Sequence, residues 1–480
     1  MKLYRFTVWL LRIFSYLYFI EVRAQHRERI PESGPVILAA NHPASVLDAI
    51  LLAMQTRRQI HFLAKSGLFK NRFIGWLLGK VGVIPVYRSQ EAAEHGRSNI
   101  EVFSKVYELF ERGGCLGLFP EGRNSPPGQV AELRTGAARM ALGAEERYNY
   151  GLGLKIIPVG LNYEHRGMFT SSALLRFGEP IKVAGYAGLH KEDEAKAVKK
   201  LTSDLQEALR QQAMHVEDEQ ISVLADDLYD AMGYSISPLS PEENKGSADD
   251  TKTKSRLKTW IWKILEWYKP DPEEISDPFE TRVKNRQRLT NILTRAVAHD
   301  PSAVKALRRQ VDLYRDHLRQ TELSRAAKQS LDNPVRERLI RLRMTLYTLL
   351  MAPVALFGLL HNIVPYMLTK YTARLAREEP IRVFAYFGVG FLAFSLAYGT
   401  FGFWLWFFAE MNWKWILAYL ALLPPAGFAA LRYRRNIVRY RDKILVRAFF
   451  WNQEELVRLL RRERRDITER LEKLEAELTT

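Results

Sequence analysis

Short apolar runs and helical periodicities alternate through residues 35–180. Strand-like runs occupy 36–40, 81–86, 115–119 and 156–161, and between them 99–110 and 134–147 repeat apolar positions at helical spacing. This alternation predicts an α/β domain with a sheet flanked by helices. The pattern then changes twice. Residues 191–343 read as charged helices, interrupted at 235–256 by a stretch rich in Ser, Pro and charge that is expected to be a flexible linker. Directly after it, 257–270 is aromatic and amphipathic. From 344 to 435 the chain turns apolar. The run 383–409 carries no charge and is long enough to span a bilayer, and 415–431 is a shorter second span. The run 346–368 is broken by His361, Asn362 and Pro365, which predicts a re-entrant or interfacial hairpin. Residues 436–480 form a basic, charged helical tail.

The first 30 residues complete the division. Arg12 interrupts the apolar run and no small-residue cleavage site follows, so the segment does not read as a signal peptide. It reads as a membrane-interface helix with Trp9, Leu10, Phe14, Leu17 and Tyr18 toward lipid; the alternative is an amphipathic helix packed on the core. The expected domains are therefore 1–30, 31–190, 191–343, 344–435 and 436–480.

Charge narrows the partners. Lys and Arg number 71 against 54 Asp and Glu, a net charge of +17 that points to nucleic acid, anionic headgroups or phosphorylated substrates. The 24 Phe, 21 Tyr and 10 Trp favour lipid and disfavour nucleic acid, because aromatics concentrate at bilayer interfaces. One cysteine, Cys115, rules out an intramolecular disulfide and a Cys-based zinc site. Basic residues follow two of the apolar runs, Lys370, Arg374, Arg377 and Arg382 after the first, and Arg432, Arg434, Arg435, Arg439 and Arg441 after the last. Both flanks are expected on the cytoplasmic face, which two spans permit and three do not.

Candidate chemistry lies just after three of the strands, where open α/β sheets place their sites. Asn41-His42-Pro43-Ala44-Ser45-Val46-Leu47-Asp48 offers a histidine base and a carboxylate to fix its tautomer. Six positions apart, the two meet only with His42 in the loop and Asp48 in the first helical turn. Ser45-x-x-Asp48 equally resembles a capping box, so a structural reading stands beside the catalytic one. Phe119-Pro120-Glu121-Gly122-Arg123-Asn124-Ser125 supplies a turn glycine and an arginine able to fork a phosphate, with Glu121 placed to bind an acceptor hydroxyl or orient the arginines. Lys65 and Arg88, the latter ending Gly82–Arg88, are further phosphate candidates, against surface solvation. Ile157-Pro158-Val159-Gly160 holds no titratable group and is expected to shape an apolar wall.

Together these stretches resemble the four ordered blocks of the glycerolipid acyltransferase family, which includes lysophosphatidate acyltransferases. The resemblance covers about residues 30–185, including Leu175-Arg176-Phe177-Gly178-Glu179-Pro180. Five residues separate His42 from Asp48, one more than in the commonest form, which resembles the fungal-type subgroup of glycerol-3-phosphate and dihydroxyacetone-phosphate acyltransferases. The third block departs from the pattern: it lacks the Thr between Gly122 and Arg123. The resemblance implies an integral membrane O-acyltransferase with its catalytic domain on the cytoplasmic face. His42 and Asp48 would be catalytic, with Lys65, Arg88, Glu121, Gly122 and Arg123 binding substrate. Acyl-CoA or acyl carrier protein would be the donor, and no cofactor or metal is implied. A non-catalytic scaffold binding anionic lipid and a CoA-independent phospholipid transacylase are the competing expectations.

Overall fold

The computed structural model describes residues 2–69, 72–86, 99–126, 128–164, 171–216, 218–232, 279–320, 337–375, 379–452 and 454–478. Arg88 and the 235–256 and 257–270 segments lie outside the described residues. The chain divides into two compact units, residues 1–217 and the described residues from 218 onward.

The first unit is built on a mixed eight-stranded sheet. In chain order its elements are α1 (Lys2–Tyr18), β1 (Phe19–Gln25), β2 (Val36–Ala40), α2 (Val46–Ala53), β3 (Ile60–Lys65), α3 (Arg72–Lys80), β4 (Ile84–Val86), α4 (Asn99–Glu111), β5 (Cys115–Leu118), α5 (Gly136–Arg147), β6 (Lys155–Tyr163), β7 (Ser171–Phe177), β8 (Ile181–Lys182), α6 (Ala187–Glu192) and α7 (Glu194–Gln212). The sheet runs β1-β7-β6-β2-β5-β3-β4, with β8 also paired to β6. β6 is antiparallel to β7 and β8, and the other pairs are parallel. Registers such as Ala39 with Leu118, Ala40 with Val159 and Lys65 with Val86 bring the carboxyl ends of β2, β5, β3 and β4 to one edge.

Burial explains why β2 is an unbroken apolar run: both of its faces are covered. Ile37 and Ala39 join Leu116, Leu118 and Ile156 against Val106 and Phe110 of α4, Ala141 and Leu142 of α5, and Leu201 and Leu205 of α7. Leu38, Ala40 and Cys115, on the opposite pleat, are buried too. α1 packs against α2 and β1. Tyr4 accepts a hydrogen bond from the Ile60 amide, and Arg12 donates to the Met54 carbonyl at 2.8 Å.

Two expectations for the N-terminus need correction. Residues 19–25 are not helical but form β1, a sheet strand. Tyr18 does not face outward: it is buried against Phe19, with ring centroids 4.9 Å apart. Leu10 is exposed as expected, and among the described side chains Leu3 and Phe6 are exposed with it along one helical face.

The second unit begins with α8 (Glu219–Met232), α9 (Phe279–His299) and α10 (Pro301–Gln320). Three long helices follow, α11 (Glu337–Leu375), α12 (Glu379–Phe407) and α13 (Trp413–Asn452), and then α14 (Glu454–Glu477). α14 packs on α8, α9 and α10, burying Leu460, Ile467, Leu471 and Leu474. Arg288 donates to both carboxylate oxygens of Glu475 at 2.9 and 2.7 Å, and His317 pairs with Glu463 at 2.8 Å.

The expected hairpin at 346–368 is absent, because α11 is a continuous helix through that segment. Thr345–Leu375, Gly388–Phe407 and Trp413–Arg434 are three helices long and apolar enough to cross a membrane; the two expected spans, 383–409 and 415–431, overlap the second and third. The polar residues that looked like breaks are satisfied between helices. His361 Nδ1 bonds the Phe357 carbonyl at 2.8 Å and its Nε2 meets the Tyr419 hydroxyl at 2.6 Å. Asn362 donates to the Gly358 and Leu423 carbonyls and accepts from Tyr398 at 2.6 Å. Helices at membrane depth tolerate polar groups that find such partners.

Candidate active site

The site grows from the carboxyl end of β2. Asn41, the first residue past the strand, is buried and locks to β6: its Nδ2 donates to the Leu161 carbonyl at 3.0 Å and its Oδ1 accepts the Leu161 amide at 2.6 Å. The chain then turns sharply through His42 to Ser45, whose φ is +52°. α2 starts at Val46, so His42 lies in the loop and Asp48 in the first helical turn, the arrangement that a six-residue separation requires.

The two side chains meet. His42 Nδ1 lies 2.9 Å from Asp48 Oδ2, with the carboxylate fully buried and the imidazole side chain 19% exposed. Asp48 Oδ2 also accepts the Ala44 amide at 2.8 Å, and Oδ1 accepts the Tyr163 hydroxyl at 2.6 Å. The capping-box alternative has the wrong geometry. Ser45 makes no side-chain cap bond, and the Asp48 oxygens go to Ala44, His42 and Tyr163 instead. A carboxylate acceptor places the proton of the neutral imidazole on Nδ1, which leaves the Nε2 lone pair free to act as a base.

The ring plane is set by stacking. His42 lies on Phe119 with centroids 3.9 Å apart and planes 15° from parallel, and Phe119 in turn faces Phe62 at 6.4 Å. Gly117 makes room for this row, since a Cβ there would come within 2.5 Å of the Phe62 ring.

The loop after β5 is bolted to the His42 loop by Glu121. Its Oε1 accepts the His42 amide at 3.0 Å and the Ser125 hydroxyl at 2.6 Å, and its Oε2 accepts the Ala131 amide at 2.9 Å. The Ser125 amide returns a bond to the His42 carbonyl at 2.8 Å. Glu121 is 1% exposed, and burial pushes its carboxyl pKa up against the pull of these donors. Expected to bind an acceptor hydroxyl or to orient the arginines, Glu121 is buried and joins the two loops.

Gly122 has φ +66°, a conformation suited to glycine, and the Arg134 side chain packs where its Cβ would be. Arg123 is exposed on the same turn, and Lys65 is exposed at the end of β3. The structure thus joins His42, Asp48 and Glu121 directly and sets Gly122 beside them in sequence. Arg123 and Lys65 are exposed at the strand-end edge, and neither is among the hydrogen-bond or ion-pair partners of His42 and Asp48. Tyr163 was not singled out from the sequence, and Phe119 was named only as the first residue of its block, without a role. A tyrosine ending a buried strand gives no local signal, because its partner Asp48 is 115 residues away in the chain. Pro158 and Gly160 lie within β6, which is buried as an apolar wall should be. Among the described residues no group of three or more His, Cys, Asp or Glu side chains is arranged to hold a metal ion.

Residues 21–162 match the Acyltransferase family model. That stretch contains every candidate residue named from the sequence. Among curated relatives, an uncharacterized acyltransferase of Schizosaccharomyces pombe is 24% identical, covering 39% of this chain and 40% of the relative. The Saccharomyces cerevisiae glycerol-3-phosphate O-acyltransferase 2 is 36% identical over 112 residues, covering 23% and 15%. The chloroplastic 1-acyl-sn-glycerol-3-phosphate acyltransferase LPAT1 of Arabidopsis thaliana is 27% identical, covering 36% and 44%. The chain spans less than half the length of each of these three.

Proposed function

Because residues 21–162 form a domain of the acyltransferase family, we propose that the chain transfers a fatty acyl group to the hydroxyl of a phosphorylated glycerol. The donor is a thioester, acyl-CoA or acyl carrier protein. The acceptor is glycerol-3-phosphate, dihydroxyacetone phosphate or 1-acylglycerol-3-phosphate; relatives named for the first and last of these support that class. The observation that carries the reading is the His42–Asp48 bond at the end of β2.

In the proposed reaction His42 Nε2 takes the acceptor hydroxyl proton as its oxygen attacks the thioester carbonyl. Asp48 steadies the imidazolium that forms. The C–S bond of the tetrahedral intermediate then breaks, the thiolate leaves, and the proton held on His42 is available to it. Direct attack needs no acyl-enzyme. Arg123, Lys65 and Arg88 supply cationic groups for the acceptor phosphate.

We further propose that the chain is an integral membrane protein with the catalytic unit on the cytoplasmic face. The exposed Leu3, Phe6 and Leu10 of α1 support contact with the bilayer surface, and the three apolar helices support insertion.

Incubating the purified chain with radiolabelled acyl-CoA or acyl carrier protein and each acceptor in turn tests the reading. Label is expected in one phosphorylated glycerol. No transfer from either donor to any acceptor overturns it in favour of a lipid-binding scaffold, and transfer from a phospholipid without thioester identifies a transacylase.

A further inference from the structure

We infer that Tyr163 is a positioning residue for acyl transfer, acting through Asp48 to set the basicity and orientation of His42; this rests on the proposed acyltransferase reading. The Tyr163 hydroxyl donates to Asp48 Oδ1 at 2.6 Å, while Oδ2 serves His42 Nδ1 and the Ala44 amide. Both carboxylate oxygens are held, Oδ1 by one donor and Oδ2 by two, and the carboxylate is fully buried. The imidazole therefore meets a carboxylate whose rotation about Cβ–Cγ would break these bonds.

The tyrosine is brought there by the sheet. β6 pairs in parallel with β2 and runs on past its end, so its last residue stands beside the loop that carries His42. The Tyr163 ring is buried against Phe19 at 6.0 Å, and the Asn41–Leu161 bonds fix β6 to β2 two residues earlier. A hydroxyl held this way draws charge from Oδ1, and the carboxylate becomes a weaker partner for the imidazolium. The Tyr163 hydroxyl thereby tempers the Asp48 charge that faces His42 Nδ1.

Among the described residues, three titratable groups bear on the imidazole. Asp48 bonds Nδ1, Tyr163 acts through Asp48, and Glu121 receives the His42 amide and lies near enough to interact with the ring charge. Glu121 accepts from the His42 and Ala131 amides and the Ser125 hydroxyl, and a change at 163 leaves these three donors in place.

The test is Tyr163→Phe in the full chain, solubilised in detergent. The His42 imidazole is titrated by NMR with labelled histidine, its resonance assigned by its loss in His42→Gln. The expected result is a His42 pKa raised by about half to one unit. In the transfer assay the acid limb of kcat/KM moves up by the same amount, kcat falls roughly tenfold, and KM for either substrate changes less than twofold. Incorporating 3-fluorotyrosine at 163, which keeps the ring and strengthens the donor, is expected to move the His42 pKa the other way. An unmoved titration in both proteins overturns the role of Tyr163, even where kcat falls, because a packing defect alone does not alter it. Wild-type chain without transfer activity overturns the acyltransferase reading and with it this role. Wild-type transfer with an unmoved His42 titration overturns only the inference about Tyr163.

Discussion

At the scale of single residues, Glu121 shows how one buried carboxylate organises two loops without facing the reaction. Its oxygens accept from His42, Ser125 and Ala131, and burial is the larger influence on its titration, upward. A carboxyl whose pKa is higher folded than unfolded binds its proton more tightly in the folded state. Its contribution to stability is therefore greatest below the ordinary glutamate range and declines as pH rises through the raised value. Glu121→Gln removes this pH slope, but it turns an amide NH₂ toward at least one donor. Leaving a buried donor unpaired costs about 1–3 kcal/mol. Urea unfolding followed by tryptophan fluorescence is expected to show that loss near neutral pH, together with a flatter pH dependence. Unchanged stability and slope would mean that Glu121 does not clamp the loops.

Legibility in the sequence differs from element to element for physical reasons. β2, β5 and β6 announce themselves because both their faces are buried and their residues are almost all apolar. The sequence of β1, FIEVRAQ, follows a helical pattern directly and mixes charge into an edge strand. β3 and β7 likewise interleave polar residues such as His61 and Arg176, and no run stands out. In α11, Asn362 and His361 read as interruptions because the sequence does not reveal that Leu423, Tyr398 and Tyr419 come to meet them. The loop site was legible in His42, Asp48 and the 119–125 block, whose spacing is local. The Tyr163 and Asn41 bonds depend on the pairing of β2 with β6, which only the assembled sheet provides.

At the scale of the whole molecule, the return of α14 constrains how the second unit meets a membrane. α9 and α10 precede the three apolar helices, α14 follows them, and the Arg288–Glu475 and His317–Glu463 pairs join the two sides of that stretch. For the membrane insertion proposed above, paired side chains outside the bilayer share one face, so an even number of crossings between residues 320 and 454 is expected. Of the three helices with sufficient length and apolarity, two crossings are therefore expected, which also keeps the basic flanks on one face. Single cysteines placed at Arg458 and Asp312 test this in sealed vesicles. The native Cys115 gives little background, because burial pushes its thiol pKa up to about 12. An impermeant maleimide is expected to label both sites from the same side; labelling from opposite sides would establish an odd number. The enzymatic reading itself is tested most directly by acyl transfer with His42→Ala beside the wild type, both checked for fold and membrane association. The expected result is transfer to a phosphorylated glycerol by the wild type and a loss of roughly 10²–10⁴-fold or more in the variant. Equal transfer by the two proteins would contradict the assignment of His42 as the base.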